Sequence, residues 1–321
     1  MKIGGSERSA SVGRVTRRRE FLYKSRAPSA HQISESSRMA ANKVETLYDA
    51  DGISIFKSDS IVRMDFVGPF TLKHLKIARQ FGVTEVYIST LSFGHRETLR
   101  FLLDLPELRG IKIGLFKPKD LRGLSRFSNL ESIYLDLHLW LLGDRIKPVD
   151  FSQLNWLRRV GIMLCKPFES ILTCGGVEEL YVMNDCDRRL RDLDLTKMPH
   201  LRSLRLHHCP KLRQVELNPM SKIRHLEVSL CGGYQIDWDR FGPDLESLTI
   251  GGRLKFPLED VLNAPNLKEL ALIQIATLPS LVFLRNHPKL RKVTHFSASK
   301  GVSGDNLAVV KEINDRANQT G

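Results

Sequence analysis

Leu201-Arg202-Ser203-Leu204-Arg205-Leu206 returns 22 residues later as Ile223-Arg224-His225-Leu226-Glu227-Val228. It returns again as Leu245-Glu246-Ser247-Leu248-Thr249-Ile250 and as Leu267-Lys268-Glu269-Leu270-Ala271-Leu272. The shared pattern is L-x-x-L-x-L, with other aliphatics standing in for Leu. Upstream it reads Val177-x-x-Leu180-x-Val182, Leu157-x-x-Val160-x-Ile162, Leu130-x-x-Ile133-x-Leu135 and Leu108-x-x-Ile111-x-Ile113. A degenerate ninth copy, Leu290-x-x-Val293-x-His295, follows downstream, and the last five copies start 22, 22, 22 and 23 positions apart. The closing L-x-L alternates with period two, so its two apolar side chains share one face of a short strand. One such strand cannot bury that face alone. Stacking in parallel, about 4.8 Å apart, makes a continuous ladder and a continuous core. A fixed period in the twenties therefore predicts a solenoid.

The second half of each repeat must bring the chain back to the next strand. These halves are apolar as well: Leu121 and Leu124, Phe151 and Leu154, Leu190, Leu193 and Leu195, Leu212, Val215 and Leu217, Leu278 and Leu281. Between 190 and 223 the anchors fall every 11 residues, which leaves no room for a long helix. Extended or single-turn 3-10 segments are predicted there. Four of the five cysteines, Cys165, Cys186, Cys209 and Cys231, sit 21, 23 and 22 residues apart on the same lattice. Three of them stand three places after the last strand aliphatic, and Cys186 is one place late. A metal reading needs C-x-x-C pairs, which are absent, and a disulfide framework would leave one of five thiols unpaired. The period is explained by a ladder of small buried thiols, one per turn.

These residues resemble the bacterial leucine-rich-repeat proteins that carry a short, extended repeat. Asp150-Phe151-Ser152-Gln153-Leu154-Asn155-Trp156-Leu157 looks like their repeat junction, as do Pro199-His200-Leu201-Arg202-Ser203-Leu204, His208-Cys209-Pro210-Lys211-Leu212 and Ala264-Pro265-Asn266-Leu267-Lys268-Glu269-Leu270. The resemblance covers 83–296, and the stretches 120–140 and 139–149 depart from the period. It implies an α/β solenoid: a horseshoe with a parallel concave sheet, a mostly extended or 3-10 convex side, a small N-terminal cap and a C-terminal helix. It also implies a binder of macromolecules and not an enzyme, and it carries over no common ligand.

The chain is read in four parts: a basic tail over 1–38, a cap with the first strand over 39–104, the solenoid over 105–296, and a closing helix and tail over 297–321. In the cap, Ile53–Phe56 and Ile61–Phe66 alternate as strands around Lys57-Ser58-Asp59-Ser60. Thr71 is placed to cap a helix carrying Leu72, Leu75 and Ile77, and Val83–Ile88 reads as the first solenoid strand. His95–Leu103 reads as a short helix, and Asn306–Ile313 as the closing one with Asp305 as its N-cap. The tail holds nine Lys or Arg against three Glu, a net +6 of the chain's +13. Four readings of it stay open: untranslated sequence ahead of a true start at Met39, a solvated tail, a targeting leader, or a nucleic-acid contact through Arg17-Arg18-Arg19.

No phosphate loop, cofactor motif or catalytic set stands out. Gly175-Gly176, Gly232-Gly233 and Gly251-Gly252 each fall in a repeat-to-repeat turn. In His207-His208-Cys209 the lattice points His207 outward, places His208 in the turn and points Cys209 inward, so the three diverge. Outward strand positions give the candidate binding face: Tyr134, Asp136, Arg159, Tyr181, Met183, Arg205, His207 and Glu227, flanked by Lys112, Ser132, Met163, Glu179, Ser203, His225, Thr249 and Glu269. Tyr and Arg are the types that most often anchor interfaces. The mixed signs of Asp136, Glu179, Glu227 and Glu269 argue against a groove that tracks phosphates, although the basic balance permits nucleic-acid binding. No apolar run approaches the roughly 18 residues that span a bilayer. The expectation is a monomeric, non-catalytic module that binds a protein on its concave face. It is cytoplasmic, or alternatively a secreted effector that contacts host proteins.

Overall fold

The chain separates into two units, Met1–Lys43 and Val44–Gly321. A computed structural model describes residues 44–50, 52–66, 70–88, 95–114, 121–136, 147–183, 190–231, 234–252, 256–275, 278–296 and 303–319. The basic tail, Met39, Cys186, Trp140 with most of its loop, and Gly232-Gly233 lie outside the described residues.

Every copy of the L-x-L pattern forms a strand. The strands are β1 (Glu45–Ala50), β2 (Ile53–Ser58), β3 (Ile61–Phe66), β4 (Glu85–Ile88), β5 (Gly110–Gly114), β6 (Ser132–Asp136), β7 (Arg159–Met163), β8 (Glu179–Met183), β9 (Asp192–Leu195), β10 (Ser203–His207), β11 (Gln214–Leu217), β12 (His225–Ser229), β13 (Ser247–Gly251), β14 (Glu269–Ile273) and β15 (Lys292–Phe296). Among the described residues, thirteen of them build one mostly parallel sheet of an α/β fold, in the order β1-β2-β3-β4-β5-β6-β7-β8-β10-β12-β13-β14-β15. The register is that of the sequence repeat: Leu180, Leu204, Leu226, Leu248 and Leu270 lie side by side, as do Val182, Leu206, Val228, Ile250 and Leu272. All ten are buried.

The register is set by a second device just before each strand. The carbonyl of Thr84 accepts two amides, from Arg109 and Gly110, at 2.8 and 3.0 Å. The carbonyls of Arg109, Glu131, Arg158, Glu178, Arg202, Arg224, Glu246 and Lys268 each do the same for the following repeat, at 2.8–3.1 Å. A one-residue slip would break every such fork and turn the apolar set to the other face.

The return halves take the two forms expected of them. 3-10 turns occupy Arg122–Arg126, Lys166–Thr173, Leu258–Asn263 and Val282–Asn286. Between 190 and 217 the returns are regular: β9 and β11 pair in parallel, with Leu193 beside Val215 and Leu195 beside Leu217. Of the lattice cysteines, Cys209 and Cys231 are buried, and the Cys231 thiol lies 3.4 Å from the Ser229 carbonyl and 3.5 Å from that of Leu206. Cys165 is only half-buried, where it precedes the 3-10 turn at Lys166, so the thiol ladder is incomplete at that rung. The fifth cysteine, Cys174, is buried off the lattice and donates to the Phe151 carbonyl at 3.3 Å. Burial, with the Asp150 charge nearby, pushes its thiol up to about 11.

At the N-terminal end the structure adds two features. The parallel pairing begins at β3, which pairs with β4, the strand expected over Val83–Ile88. An additional strand, β1, pairs antiparallel with β2 and so covers the sheet edge. The helix Leu72–Gln80 joins β3 to β4, and the Thr71 amide at its start donates to His74 Nδ1 at 3.2 Å. Leu75 and Ala78 supply its buried face, while Leu72 is 61% exposed and does not.

The C-terminal helix, Gly304–Gln319, is longer than predicted. Asp305 falls inside its first turn. Ser303 takes the capping position instead, its hydroxyl accepting the Asn306 amide at 3.3 Å and its carbonyl the Leu307 amide at 3.1 Å. This helix closes the last repeat with two side-chain amides that stand in for a missing neighbour. Asn314 accepts from the Val293 amide at 2.8 Å and donates to the Val293 carbonyl at 3.1 Å. Buried Asn306 accepts from the Leu281 amide at 2.8 Å and donates to the Pro279 carbonyl at 2.9 Å. Nearby, buried His287 holds the Ala264 carbonyl at 3.0 Å through Nε2, while Nδ1 accepts from the Leu290 amide at 3.1 Å. That pattern fixes the neutral tautomer with its proton on Nε2.

Asn306→Ala leaves a buried donor and acceptor unpaired, so urea unfolding is expected to show a loss of about 1–3 kcal/mol. A change within about 0.5 kcal/mol, the range of ordinary surface substitutions, would contradict this role for the cap. Burial holds His287 below its ordinary value of 6.5. The unfolded chain therefore takes up this proton first as pH falls. The contribution of His287 is present above about pH 6.5 and is lost as pH drops through the lowered value. Unfolding free energies measured from pH 8 to pH 5 are expected to fall less steeply in His287→Gln than in the parent chain.

Candidate functional site

Residues that alternate away from the core form three rows across the parallel strands. The middle row runs Tyr87, Lys112, Tyr134, Gly161, Tyr181, Arg205, Glu227 and Thr249, each beside the next in register. The eight candidate residues all lie on this face, and β6, β7, β8, β10 and β12 bring them together. Tyr134, Tyr181, Arg205 and Glu227 occupy the middle row, Arg159 the row before it, and Asp136, Met183 and His207 the row after it.

The row is packed against itself. Lys112 Nζ sits between two rings, 5.0 Å from the Tyr87 centroid and 4.8 Å from that of Tyr134, where both quadrupoles attract it. The Tyr134 ring then tips over Gly161, and a Cβ built on that glycine would collide with Tyr134 Cδ2. The Tyr134 hydroxyl donates to Met183 Sδ at 3.1 Å. The Tyr134 and Tyr181 rings are 6.1 Å apart, and Tyr181 and His207 meet edge-on at 6.5 Å. Arg205 reaches Glu227 at 3.9 Å, and Arg159 reaches across the face to Glu85 at 3.4 Å.

Met183, at 8% exposure, and Met163, at 3%, correct the sequence reading. Both alternate outward, yet their neighbours cover them, so they form the floor of the face and not its contact surface. Ser203 is buried in the same way. Two members of the band were missed. Tyr87 belongs to the strand already expected around Val83–Ile88, and its alternation would have placed it. Gly161 has no side chain, so only its register opposite Tyr134 marks it as the berth for a ring.

Burial keeps the Tyr181 and His207 rings uncharged. Burial, then the Glu227 and Asp136 charges, push the Tyr181 hydroxyl above its ordinary range, and Arg205 opposes them in part. Tyr181 therefore stays a protonated donor. Burial, then the His208 charge, hold His207 below its ordinary value, so its ring is neutral at pH 7. His208 adopts φ 59° in the turn, and Cys209 points into the core. Among the described residues, no group of three or more His, Cys, Asp or Glu side chains is placed to hold a metal ion. Among the same residues, no helix is long and apolar enough to cross a membrane. What the face offers is an array of aromatic edges packed with a guanidinium and carboxylates.

Compared with known proteins, the chain matches no family model and no curated protein.

Gly161→Ala is expected to expel the Tyr134 ring from its berth and to cost about 1–3 kcal/mol, the usual range for overpacking. The same change in a Tyr134→Ala background is expected to cost much less. Urea unfolding of the four members of that cycle gives the coupling. Equal costs in both backgrounds would show that the ring does not lie over the glycine.

Proposed function

We propose that this chain is a leucine-rich-repeat solenoid of the short bacterial type, a horseshoe whose concave face is the outward face of the parallel sheet. In this reading it is a non-catalytic interaction module that binds a protein partner across Tyr134, Tyr181, Arg205, His207 and Glu227. One observation carries the reading: the middle row holds its aromatic and cationic side chains in place through contacts with each other. Such a surface loses little side-chain freedom when a partner arrives, so more of the contact energy is left as affinity. Tyr and Arg at the centre of a packed patch are the usual anchors of protein interfaces.

The mixed signs on this face, with Asp136, Glu179, Glu227 and Glu269 among Lys112, Arg159 and Arg205, favour a protein over a nucleic acid. A cytoplasmic partner is the primary version. A secreted effector that contacts host proteins is the alternative, and nucleic-acid binding through the basic tail is a third and weaker one.

The test is capture from the native cell with the full chain, against Tyr181→Ala/Arg205→Gln. Gln is chosen because an acidic residue at 205 would face Glu227 and disturb the fold for its own reasons. The expected result is one protein captured by the parent and lost by a variant whose circular dichroism and melting show it folded. Equal capture by both would remove this face as the docking surface.

A further inference from the structure

Behind the main sheet, the second sheet sets two arginines side by side. In the row before the main strands Arg202 also stands beside Arg224 and Lys268 beside Arg291, but carboxylates are within reach: Arg109 pairs with Glu131 at 3.0 Å, Arg158 with Glu178 at 3.8 Å, and Glu246 with Arg224 at 3.8 Å and Lys268 at 2.8 Å. The corresponding positions before β9 and β11 are Arg191 and Arg213, and the third in the series, 22 residues further on, is Gln235. The same forked hydrogen bond holds the first two together, with the Arg191 carbonyl accepting the Arg213 amide at 2.7 Å and the Gln214 amide at 3.1 Å. Arg191 and Arg213 are thus neighbours across strands, where like charges destabilise a sheet.

These residues line a cleft of about 500 Å³. Among the described residues its walls are Arg191, Lys211, Arg213, Gln235 and Pro210, and no carboxylate is among these. The described acids nearest in sequence do not line it. Asp192 and Glu216 lie on the exposed side of β9 and β11, and Asp237 pairs with Arg240 at 3.6 Å. Among the described residues, no carboxylate is paired with Arg191, Lys211 or Arg213.

We infer that this cleft binds a compact anion of the phosphate-ester class, held by the two forked guanidinium groups and the Lys211 ammonium, with the Gln235 amide as a neutral donor. Guanidinium forks match tetrahedral oxyanions in pairs, which a single lysine does not. The volume lies within the range of small-molecule sites, roughly 300–1,000 Å³. Three cations in one concave spot suit a compact dianion better than an extended nucleic-acid backbone, which needs a track of positive charge along many repeats. The anion would relieve the repulsion between Arg191 and Arg213, with which no carboxylate is paired among the described residues. This site is separate from the strand face, and its occupancy does not depend on what docks there.

The experiment measures binding and melting of the full chain with inorganic phosphate, and with a phosphoserine peptide beside its unphosphorylated form, at ionic strength matched with chloride. The variants are Arg191→Gln/Arg213→Gln, Gln235→Glu, and Arg158→Gln as a paired-cation control. The parent and the control are expected to bind phosphate and to melt higher in it than in chloride. The double variant and Gln235→Glu are expected to bind about tenfold or more weakly, since each loses or neutralises a charge-assisted contact. Gln235→Glu is also expected to melt higher than the parent in chloride alone, because it supplies the missing carboxylate. Tighter binding of the phosphopeptide than of free phosphate would identify a modified protein segment as the source, and the reverse a free phosphate compound. A parent indifferent to phosphate at matched ionic strength would overturn the proposal, as would Gln235→Glu binding like the parent. So would binding of a single-stranded oligonucleotide without any binding of phosphate.

Discussion

The forked hydrogen bond ahead of each strand is the constraint on which the rest of the structure depends. One repeat has a single short strand and one apolar face, and it buries that face only against its neighbours. The carbonyl at Arg109, Arg158, Arg202 or Lys268, accepting two amides from the next repeat, fixes where that neighbour sits along the strand axis. With the axial position fixed, period-two alternation settles which side chains enter the core and which leave it. The rows on the outward face follow from the same register. Tyr134 finds Gly161 beneath its ring, and Lys112 finds a ring on either side, because neighbouring strands cannot slide.

The ends of such a stack are its weak points, since each exposes a strand edge and an open core. The two ends are closed by different chemistry. At the start, β2 runs antiparallel to both β1 and β3, and the two strands β1 and β2 add backbone partners. At the finish there is no further strand, and Asn306 and Asn314 present side-chain amides whose carbonyl and amino groups reproduce the donor and acceptor of a missing backbone unit. The inward position of β15 that should carry an aliphatic carries His295 instead, beside Leu272. The polar residue is tolerated there because the helix packs where another repeat would have been.

Much of this was legible in the sequence, for a physical reason: the repeat and the strand share one period, so counting residues is counting strands. Leu204, Leu226, Leu248 and Leu270 stand in register as their spacing requires. The 11-residue spacing of Leu190, Leu201, Leu212 and Ile223 correctly excluded a long helix and pointed to the extended β9 and β11. β1 was not legible, because Glu-Thr-Leu-Tyr-Asp-Ala lacks clean alternation and pairs through a bulge between Thr46 and Tyr48. Alternation also placed Met163 and Met183 on the outward face but could not say what covers them there. The berth at Gly161 and the cation cluster of Arg191 and Arg213 depend on which residues become neighbours across strands, and a linear pattern of apolar positions does not weigh glycines or charges.

In the proposed reading, partners meet the outward strand face. The most direct measurement places a photo-crosslinking side chain at Thr249, on that face, and in a second protein at Leu262, in a 3-10 turn on the opposite side. Both are irradiated in the native cell. The account expects a discrete crosslinked protein from position 249 and none from 262. A discrete adduct from 262 with none from 249 would contradict it and assign the docking surface to the other side of the molecule.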